Sequence, residues 1–473
     1  MNYKSILFFL GIYSLLISFL SILNIFYSIY FEFIIGLNSY IITFLISLFF
    51  GFIFYFVGRN HYKDITLSNQ LIFIILSFFL LPFLICIPYY SSIYDINFLN
   101  SYFESVSGFT TTGFSTIHNI ENIDQPLLLW RSSSQWLGGF IFLFATIGTF
   151  GSKQIKIKPS YLISGGASGR NFYNNFNYNF IKILLIYFFT TIFVIFLYTL
   201  FDLRLLDSFN LAFTSVSSGG FIPDKSLSNI LVKDIQVFIF SITLLIPVFN
   251  FFLFHDIITR KFSLRNHQED LHLLLFIIFL LLFFYFFIMA DEGFVNVLFS
   301  IISSISTSGL SIYSPEMDLS LFFILLTIVG GSLISTSSGF KYTRIYILLK
   351  TSYQEIYKLV KPKNIIDKNL YNTDVKIDDE DVKIAFFVFV SFILSIFILS
   401  SILTLDSLDF ENSFKLSILT LTNTINSSLH GIDSLSFYDL NSFTKLSLIF
   451  FMILGKVEII AFLYLIKRFI FRE

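Results

Sequence analysis

Long apolar runs alternate with short polar gaps along most of the chain. Ten runs approach the ~20 apolar residues that a bilayer-spanning helix needs. They are Ile6–Tyr30, Tyr40–Phe56, Leu71–Tyr90, Leu127–Phe150, Asn179–Phe201, Val232–Phe254, Leu271–Ala290, Leu319–Gly339, Val382–Leu405 and Thr444–Ile466. From the third run onward a second pattern appears. A segment too short to cross, such as Phe98 to Val106, ends in a polar turn, here Gly108-Phe109-Thr110-Thr111-Thr112-Gly113-Phe114-Ser115, and a long run follows. Similar turns are Ser217-Ser218-Gly219-Gly220-Phe221, Ser306-Thr307-Ser308-Gly309-Leu310 and Ser428-Leu429-His430-Gly431-Ile432. Irregular polar backbone at membrane depth is tolerated only where it is buried in protein or lines a water-filled path. The pattern therefore predicts an all-α polytopic membrane protein, with two N-terminal transmembrane helices and four parallel repeats. Each repeat is a spanning helix, a short pore helix and a second spanning helix, set around a pseudo-fourfold pore.

Composition agrees. Hydrophobic residues make up 55% and charged residues 13%, against about 25% charge in soluble domains. The excess of Phe carries no chemistry, and the net charge of -1 excludes no partner. The single cysteine, Cys86, lies in an apolar run and rules out a disulfide framework. Ile6 to Ile29 is too long for a signal peptide and lacks a small-residue cleavage site, so it reads as an uncleaved first span. Short loops rich in Lys and Arg stay cytoplasmic. The 57–66, 151–182 and 256–268 loops and the tail are basic, whereas 91–126 is acidic, which sets both termini inside. The expected organisation is two helices in 1–66, repeats at 67–158, 159–268, 269–360 and 382–473, and a charged cytoplasmic linker at 361–381.

Aligned on Gly113, Gly220, Gly309 and Gly431, the repeats place Asp95, Asp202 and Asp291 each 18 residues before a glycine, with Ser413 in the fourth. Such acids either collect by chance or sit near short-helix N-termini and make the outer mouth negative. Four glycine turns around one axis suit a dehydrated cation, because backbone carbonyls and hydroxyls replace its water and glycine accepts the unusual backbone angles. Each short helix points its C-terminal partial charge at the ion.

Other positions have two readings. Gly330-Gly331-Ser332-Leu333-Ile334-Ser335-Thr336-Ser337-Ser338-Gly339 is either an intracellular gate in a broken helix or a tight helix crossing. Lys456 and Glu458, deep in the last run, either pair structurally or place Lys456 at the pore as a barrier. Trp130 reads as an interface residue and Arg131 as a partner of the acidic outer loops. Lys341 and Arg344 read as ordinary positive-inside charges. His430 either titrates near the outer mouth or stays neutral and hydrogen-bonded.

The chain resembles the TrkH/TrkG/KtrB family of potassium transport subunits, closest to the TrkH type. The resemblance rests on Phe103 to Gly113, Trp130-Arg131-Ser132 through Gln135-Trp136-Leu137-Gly138-Gly139, Ser215 to Phe221, Gly330-Gly331 through Gly339-Phe340-Lys341, and Gly455-Lys456-Val457-Glu458. It implies K⁺ uptake and a homodimer with a pore in each protomer. It also implies a cytoplasmic nucleotide-binding regulatory subunit (TrkA-like) and residence in a bacterial inner (plasma) membrane. By resemblance the K⁺ contacts are Thr111, Thr112, Gly113, Ser218, Gly219, Gly220, Thr307, Ser308, Gly309, Leu429, His430 and Gly431. The gate is Gly330, Gly331, Ser335, Ser337, Ser338, Gly339 and Lys456. The chain departs from the family at 428–431, at Lys456 where Arg is usual, and in the 159–178 loop. No phosphate-binding Gly-x-x-x-x-Gly-Lys-Ser/Thr run is present, and neither an enzyme, a covalent cofactor nor a nucleic-acid partner is expected. A K⁺ symporter coupled to H⁺ or Na⁺, or a less selective Na⁺/K⁺ pathway, is the alternative.

Overall fold

A computed structural model describes residues 3–62, 67–91, 94, 96–117, 119–150, 176–260, 262–315, 317–361, 369–371, 377–406, 408–432, 435–457, 459 and 461–462. Most of the 361–381 linker, the 151–175 part of the basic loop, Asp95 and Glu458 therefore lie outside the described residues.

Helices α1 (Tyr3–Tyr30) and α2 (Leu37–Gly58) form an antiparallel pair at the N-terminus. They touch backbone to backbone because glycines lie at the seam. A Cβ on Gly11 would stand 2.6 Å from Tyr55 N, and one on Gly58 would stand 2.5 Å from Phe8 N. Close approach through small residues is how helices associate in lipid, where apolar burial gives no net drive.

Four units follow. The first is α3 (Leu67–Ile85) with its extension α4 (Ile87–Tyr90), short α5 (Phe98–Phe109), and α6 (Gln125–Phe150). The second is α7 (Phe176–Leu200), short α8 (Leu205–Ser217), α9 (Asp234–Thr243) and α10 (Phe251–Ile258). The third is α11 (Gln268–Phe287), short α12 (Phe294–Ile305), α13 (Ser320–Val329) and α14 (Tyr342–Val360). The fourth is α15 (Asp379–Thr404), short α16 (Phe410–Leu421) and α17 (Ser442–Val457).

Among the described residues six helices are long and apolar enough to cross a bilayer: α1, α2 and the first helix of every unit. Among the second helices, α6 carries buried Arg131, Ser132, Ser133, Ser134 and Gln135, and α9 and α13 are interrupted. The expectation of one continuous span over Val232–Phe254 fails. Helix α9 stops at Thr243, the chain turns through 244–249, and Asn250 starts α10 by accepting from Phe252 N at 3.1 Å. Pro247 lies in that turn, and proline supplies no N–H to continue a helix. The expected break in the third unit is present at Gly330.

The second helices also press on the ends of the short ones. In the first unit a Cβ on Gly138 would collide with the Phe109 carbonyl, the last of α5. In the fourth, a Cβ on Gly455 would collide with the Leu421 carbonyl, the last of α16. Gly138→Ala is therefore expected to cost roughly 1–3 kcal/mol by overpacking, read as a lower unfolding temperature of the detergent-purified protein. An unchanged unfolding temperature contradicts the close approach.

Candidate ion pathway

Each short helix ends by turning left-handed at a residue that is not glycine. These residues are Thr111 (φ 61°), Ser218 (φ 62°), Thr307 (φ 59°) and Asn423 (φ 49°). A positive φ is uncommon outside glycine and is a genuine outlier for β-branched threonine. Such strain persists only where the surroundings enforce it, and it clusters at functional sites. What enforces it here is the preceding helix. Thr112 N donates to Ser107 O at 2.9 Å, Gly219 N to Thr214 O at 2.8 Å, Gly309 N to Ser303 O at 3.1 Å, and Thr424 N to Leu419 O at 2.9 Å. Three of the four turns also carry a hydroxyl pair two residues apart. Thr110 and Thr112 lie 2.7 Å apart, and Ser306–Ser308 and Thr422–Thr424 are each 3.0 Å apart.

The four segments close a ring. A Cβ on Gly113 would stand 2.7 Å from Gly220 Cα, which joins units one and two. Ser218 Oγ lies 3.0 Å from Thr307 Oγ1, joining two and three. A Cβ on Gly309 would stand 2.9 Å from Ile425 O, joining three and four. Asn423 Nδ2 donates to Thr112 Oγ1 at 3.0 Å, joining four and one. Thr111, Thr112, Gly113, Ser218, Gly219, Gly220, Thr307, Ser308 and Gly309 thus come together.

Leu429, His430 and Gly431 do not take the fourth side. Asn423, Thr424 and Ile425 do, so the alignment on Gly431 is corrected to one on Ile425. Its side chain packs into the space that Gly220 leaves open: a Cβ on Gly220 would stand 2.7 Å from Ile425 Cβ. Residues Ser428–His430 form a short 3-10 turn that braces the neighbouring strand, with Ser428 Oγ donating to Tyr313 O at 3.1 Å. Buried His430 has Nδ1 3.2 Å from Ser427 Oγ, and its Cε1 lies 3.0 Å from where a Gly309 Cβ would be.

The strand leaving each turn is fastened as well. In the first unit buried Glu104 accepts from Thr116 N at 2.8 Å and Ser115 Oγ at 3.1 Å, and it pairs with buried Arg131 at 2.8 Å. The Arg131 guanidinium lies 4.0 Å from the Phe221 ring centre, which ties unit one to unit two. Arg131 thus meets an acid of the 91–126 stretch, as expected, but as a buried internal clamp. Trp130 is likewise buried, and its Nε1 donates to Ile85 O at 3.0 Å. In units two and three, Thr214 Oγ1 donates to Phe221 O and Ser303 Oγ donates to Leu310 O, each at 2.7 Å. Of the row of acids, Asp202 and Asp291 each lie three residues before a short helix, α8 and α12, and Asp95 lies outside the described residues. Asp202 is exposed and bonds Lys233 at 2.8 Å, and Asp291 is exposed.

Below the ring lies the 330–341 loop. Its turns need glycine at Gly330 (φ 62°) and Gly339 (φ 83°), where the two backbones almost touch. The loop pairs with the break in unit two: Ser332 N donates to Val248 O at 2.8 Å, Ser337 N to Pro247 O at 3.0 Å, and Phe251 N to Ile334 O at 2.8 Å. It meets the ring where Ser338 N donates to Thr307 Oγ1 at 3.0 Å. Fully buried Lys456 joins the two, donating to Thr111 Oγ1 at 2.7 Å, Thr336 O at 3.2 Å and Ser338 Oγ at 3.1 Å. Lys341 was read as a surface charge but is buried. Its Nζ donates to Ser335 Oγ at 3.1 Å and Ser335 O at 3.3 Å, holding the loop together from within.

Four short-helix hairpins closing one ring, with a loop folded against it, define the class: an all-helical multi-pass membrane protein. The comparisons agree on the fold and the relatives. The crystal structure of the potassium transporter TrkH from Vibrio parahaemolyticus superposes with a TM-score of 0.83 over 98% of both chains at 20% identity, which speaks to the fold. An uncharacterised cation transporter of Methanocaldococcus jannaschii is 27% identical over 91% of this chain and 89% of its own. The Trk system potassium uptake protein TrkH of Halomonas elongata is 26% identical over 76% of each chain, and TrkG of Escherichia coli is 25% identical over 80% of each. No family model matches the chain. The curated relatives and the fold together support a likeness to the TrkH/TrkG/KtrB family of potassium transport subunits.

Removing one partner of a buried ion pair strands the other charge, at about 3–5 kcal/mol. Glu104→Gln is accordingly expected to lower the unfolding temperature well beyond a substitution at exposed Glu411, measured side by side in detergent. Equal effects would mean that the Glu104–Arg131 pair does not hold the first strand.

Proposed function

We propose that the chain carries K⁺ across a bacterial inner (plasma) membrane through the ring formed by 111–113, 218–220, 307–309 and 423–425. The supporting observation is the closed circuit of four left-handed turns, one per unit, with 111–113, 218–220, 307–309 and 423–424 all buried. Potassium is the ion named for the Trk relatives, and it is the substrate read here. Carbonyls and hydroxyls of the ring would replace the ion's water. Loop 330–341 serves as the gate, with Lys456 as the latch that binds it to Thr111. Both termini lie in the cytoplasm, two copies form a homodimer, and a cytoplasmic nucleotide-binding subunit regulates opening. A less selective Na⁺/K⁺ pathway is favoured by one feature: the fourth segment carries Ile425 where the other three carry glycine. A branched apolar side chain there restricts how that segment presents its carbonyls.

Two experiments on the purified chain in liposomes test this reading. The first compares K⁺ and Na⁺ flux. Gly113→Ser is expected to lower the K⁺/Na⁺ ratio and Ile425→Gly to raise it, each by roughly tenfold, the equivalent of about 1.4 kcal/mol of differential binding. Equal K⁺ and Na⁺ flux in the unmutated protein rejects K⁺ selectivity. The second is Lys456→Gln, which is expected to raise K⁺ flux without changing the ratio. Unchanged flux from a folded variant removes the latch.

A further inference from the structure

Five titratable side chains are buried together where α10 leads into α11, beside the basic 256–268 loop. They are His255 and Asp256 on α10, His267 at the turn, and Glu269 and Asp270 in the first turn of α11. Ion passage through the ring uses none of them. His255 Nδ1 lies 2.8 Å from Asp256 Oδ1. His267 Nε2 lies 3.2 Å from Asp256 Oδ2, and its Nδ1 lies 3.5 Å from Asp270 Oδ2. The Phe262 ring stacks on His267 at 5.7 Å.

A neutral imidazole donates through one nitrogen and an imidazolium through both. Both nitrogens of His267 face carboxylate oxygens, which only accept when ionised. The cradle therefore fits the charged ring. Among the described residues no group of three or more His, Cys, Asp or Glu is arranged to hold a metal ion, so the ligand that suits this cradle is a proton.

The cluster is wired to the loop beneath the ring. Asp270 Oδ1 accepts from Asn250 N at 2.8 Å and from Ser332 Oγ at 2.6 Å. Glu269 Oε1 accepts from Leu333 N at 2.8 Å and from Thr343 Oγ1. We propose that His255, Asp256, His267 and Asp270 form a regulatory proton-binding site, and that loss of its proton releases loop 330–341. The inference rests on reading that loop as the gate.

The physics is like-charge repulsion in a dry place. With His267 protonated, one positive charge sits between Asp256 and Asp270 and holds α10 against α11. Without it, the two carboxylates face each other across a neutral ring, and the Asp270 support of Asn250 and Ser332 shifts. The nearby charges do not replace the lost one. Lys341 acts on Glu269, and His272, one turn along, packs on the rings of Tyr346 and Tyr371 beside Lys350. Burial lowers the pKa of His267, but hydrogen bonds and charge from Asp270 and Asp256 outweigh it, and the net shift is upward from an ordinary histidine. The contact is thus complete below the ordinary histidine range and is lost as pH rises through His267's own, higher value.

The test uses the full-length chain in liposomes, with pH stepped equally on both faces from about 5.5 to about 8.5, the window in which histidine titrates. K⁺ flux is expected to rise about tenfold, the reach of one pKa unit of coupling. In His267→Gln it is expected to stay at the high-pH level throughout. A second readout does not need conduction: thiol modification of Leu333→Cys in a Cys86→Ala background, as the ratio of rates with and without His267→Gln. That ratio is expected to differ from unity at low pH and to return to unity at high pH. Asp256→Asn is expected to move the wild-type midpoint down by about one pH unit, which covers the case in which His267→Gln does not fold. Flux and modification that ignore pH, a pH response surviving in His267→Gln, or an unmoved midpoint in Asp256→Asn overturns the proton site. Modification that follows His267 in a protein passing no K⁺ at any pH upholds the proton site and rejects the K⁺ reading instead.

Discussion

Backbone at membrane depth has no water to bond, so every polar group must find a partner inside the protein. The rest of this structure depends on how the four hairpins meet that demand. Each turn bonds back to its own helix through the Ser107, Thr214, Ser303 and Leu419 carbonyls, and each touches the next segment around the ring. The left-handed turns at Thr111, Ser218, Thr307 and Asn423 are strained one by one and held collectively. A single hairpin of this kind would not persist in lipid. Four of them stabilise one another, which is why the molecule is built from repeats.

The same demand explains the broken helices. Interrupting a helix exposes N–H and C=O groups, and two interruptions side by side satisfy one another. Here the turn around Pro247 and the loop 330–341 exchange backbone hydrogen bonds. Other donors and acceptors of the loop bond the side chains of Lys341, Lys456, Glu269, Asp270 and Thr307. Lys456 bonds both the loop and Thr111, so the gate proposed for this loop is tied directly to the ring.

Much of this was legible before the structure. Hydropathy marked the two N-terminal helices and the first helix of each unit, because those helices face lipid and must be apolar throughout. The first three turns were legible because glycine and hydroxyl residues recur at one spacing. The fourth was misplaced because glycine was taken as the marker, and the fourth segment has Ile425 in that position. The hydroxyl pair, Thr110-x-Thr112, Ser306-x-Ser308 and Thr422-x-Thr424, marks the fourth turn where glycine does not, and glycine marks the second turn where the pair is missing. Arg131 was rightly matched with the acids of 91–126 but its burial was not foreseen, and Lys341 was read as an ordinary positive-inside charge because its partners include backbone carbonyls of 335–337. Composition cannot register such pairings. The break at Pro247 was visible as a proline within an apolar run, yet hydropathy alone carried the helix through it.

The most direct measurement is an experimental structure of the protein in a thallium or rubidium salt, locating the ion by its anomalous scattering. An ion on the axis bounded by Thr112, Gly220, Gly309 and Ile425 is the predicted result. Ions found only elsewhere in the molecule, or a ring whose fourth side is made by His430 and Gly431, would contradict it.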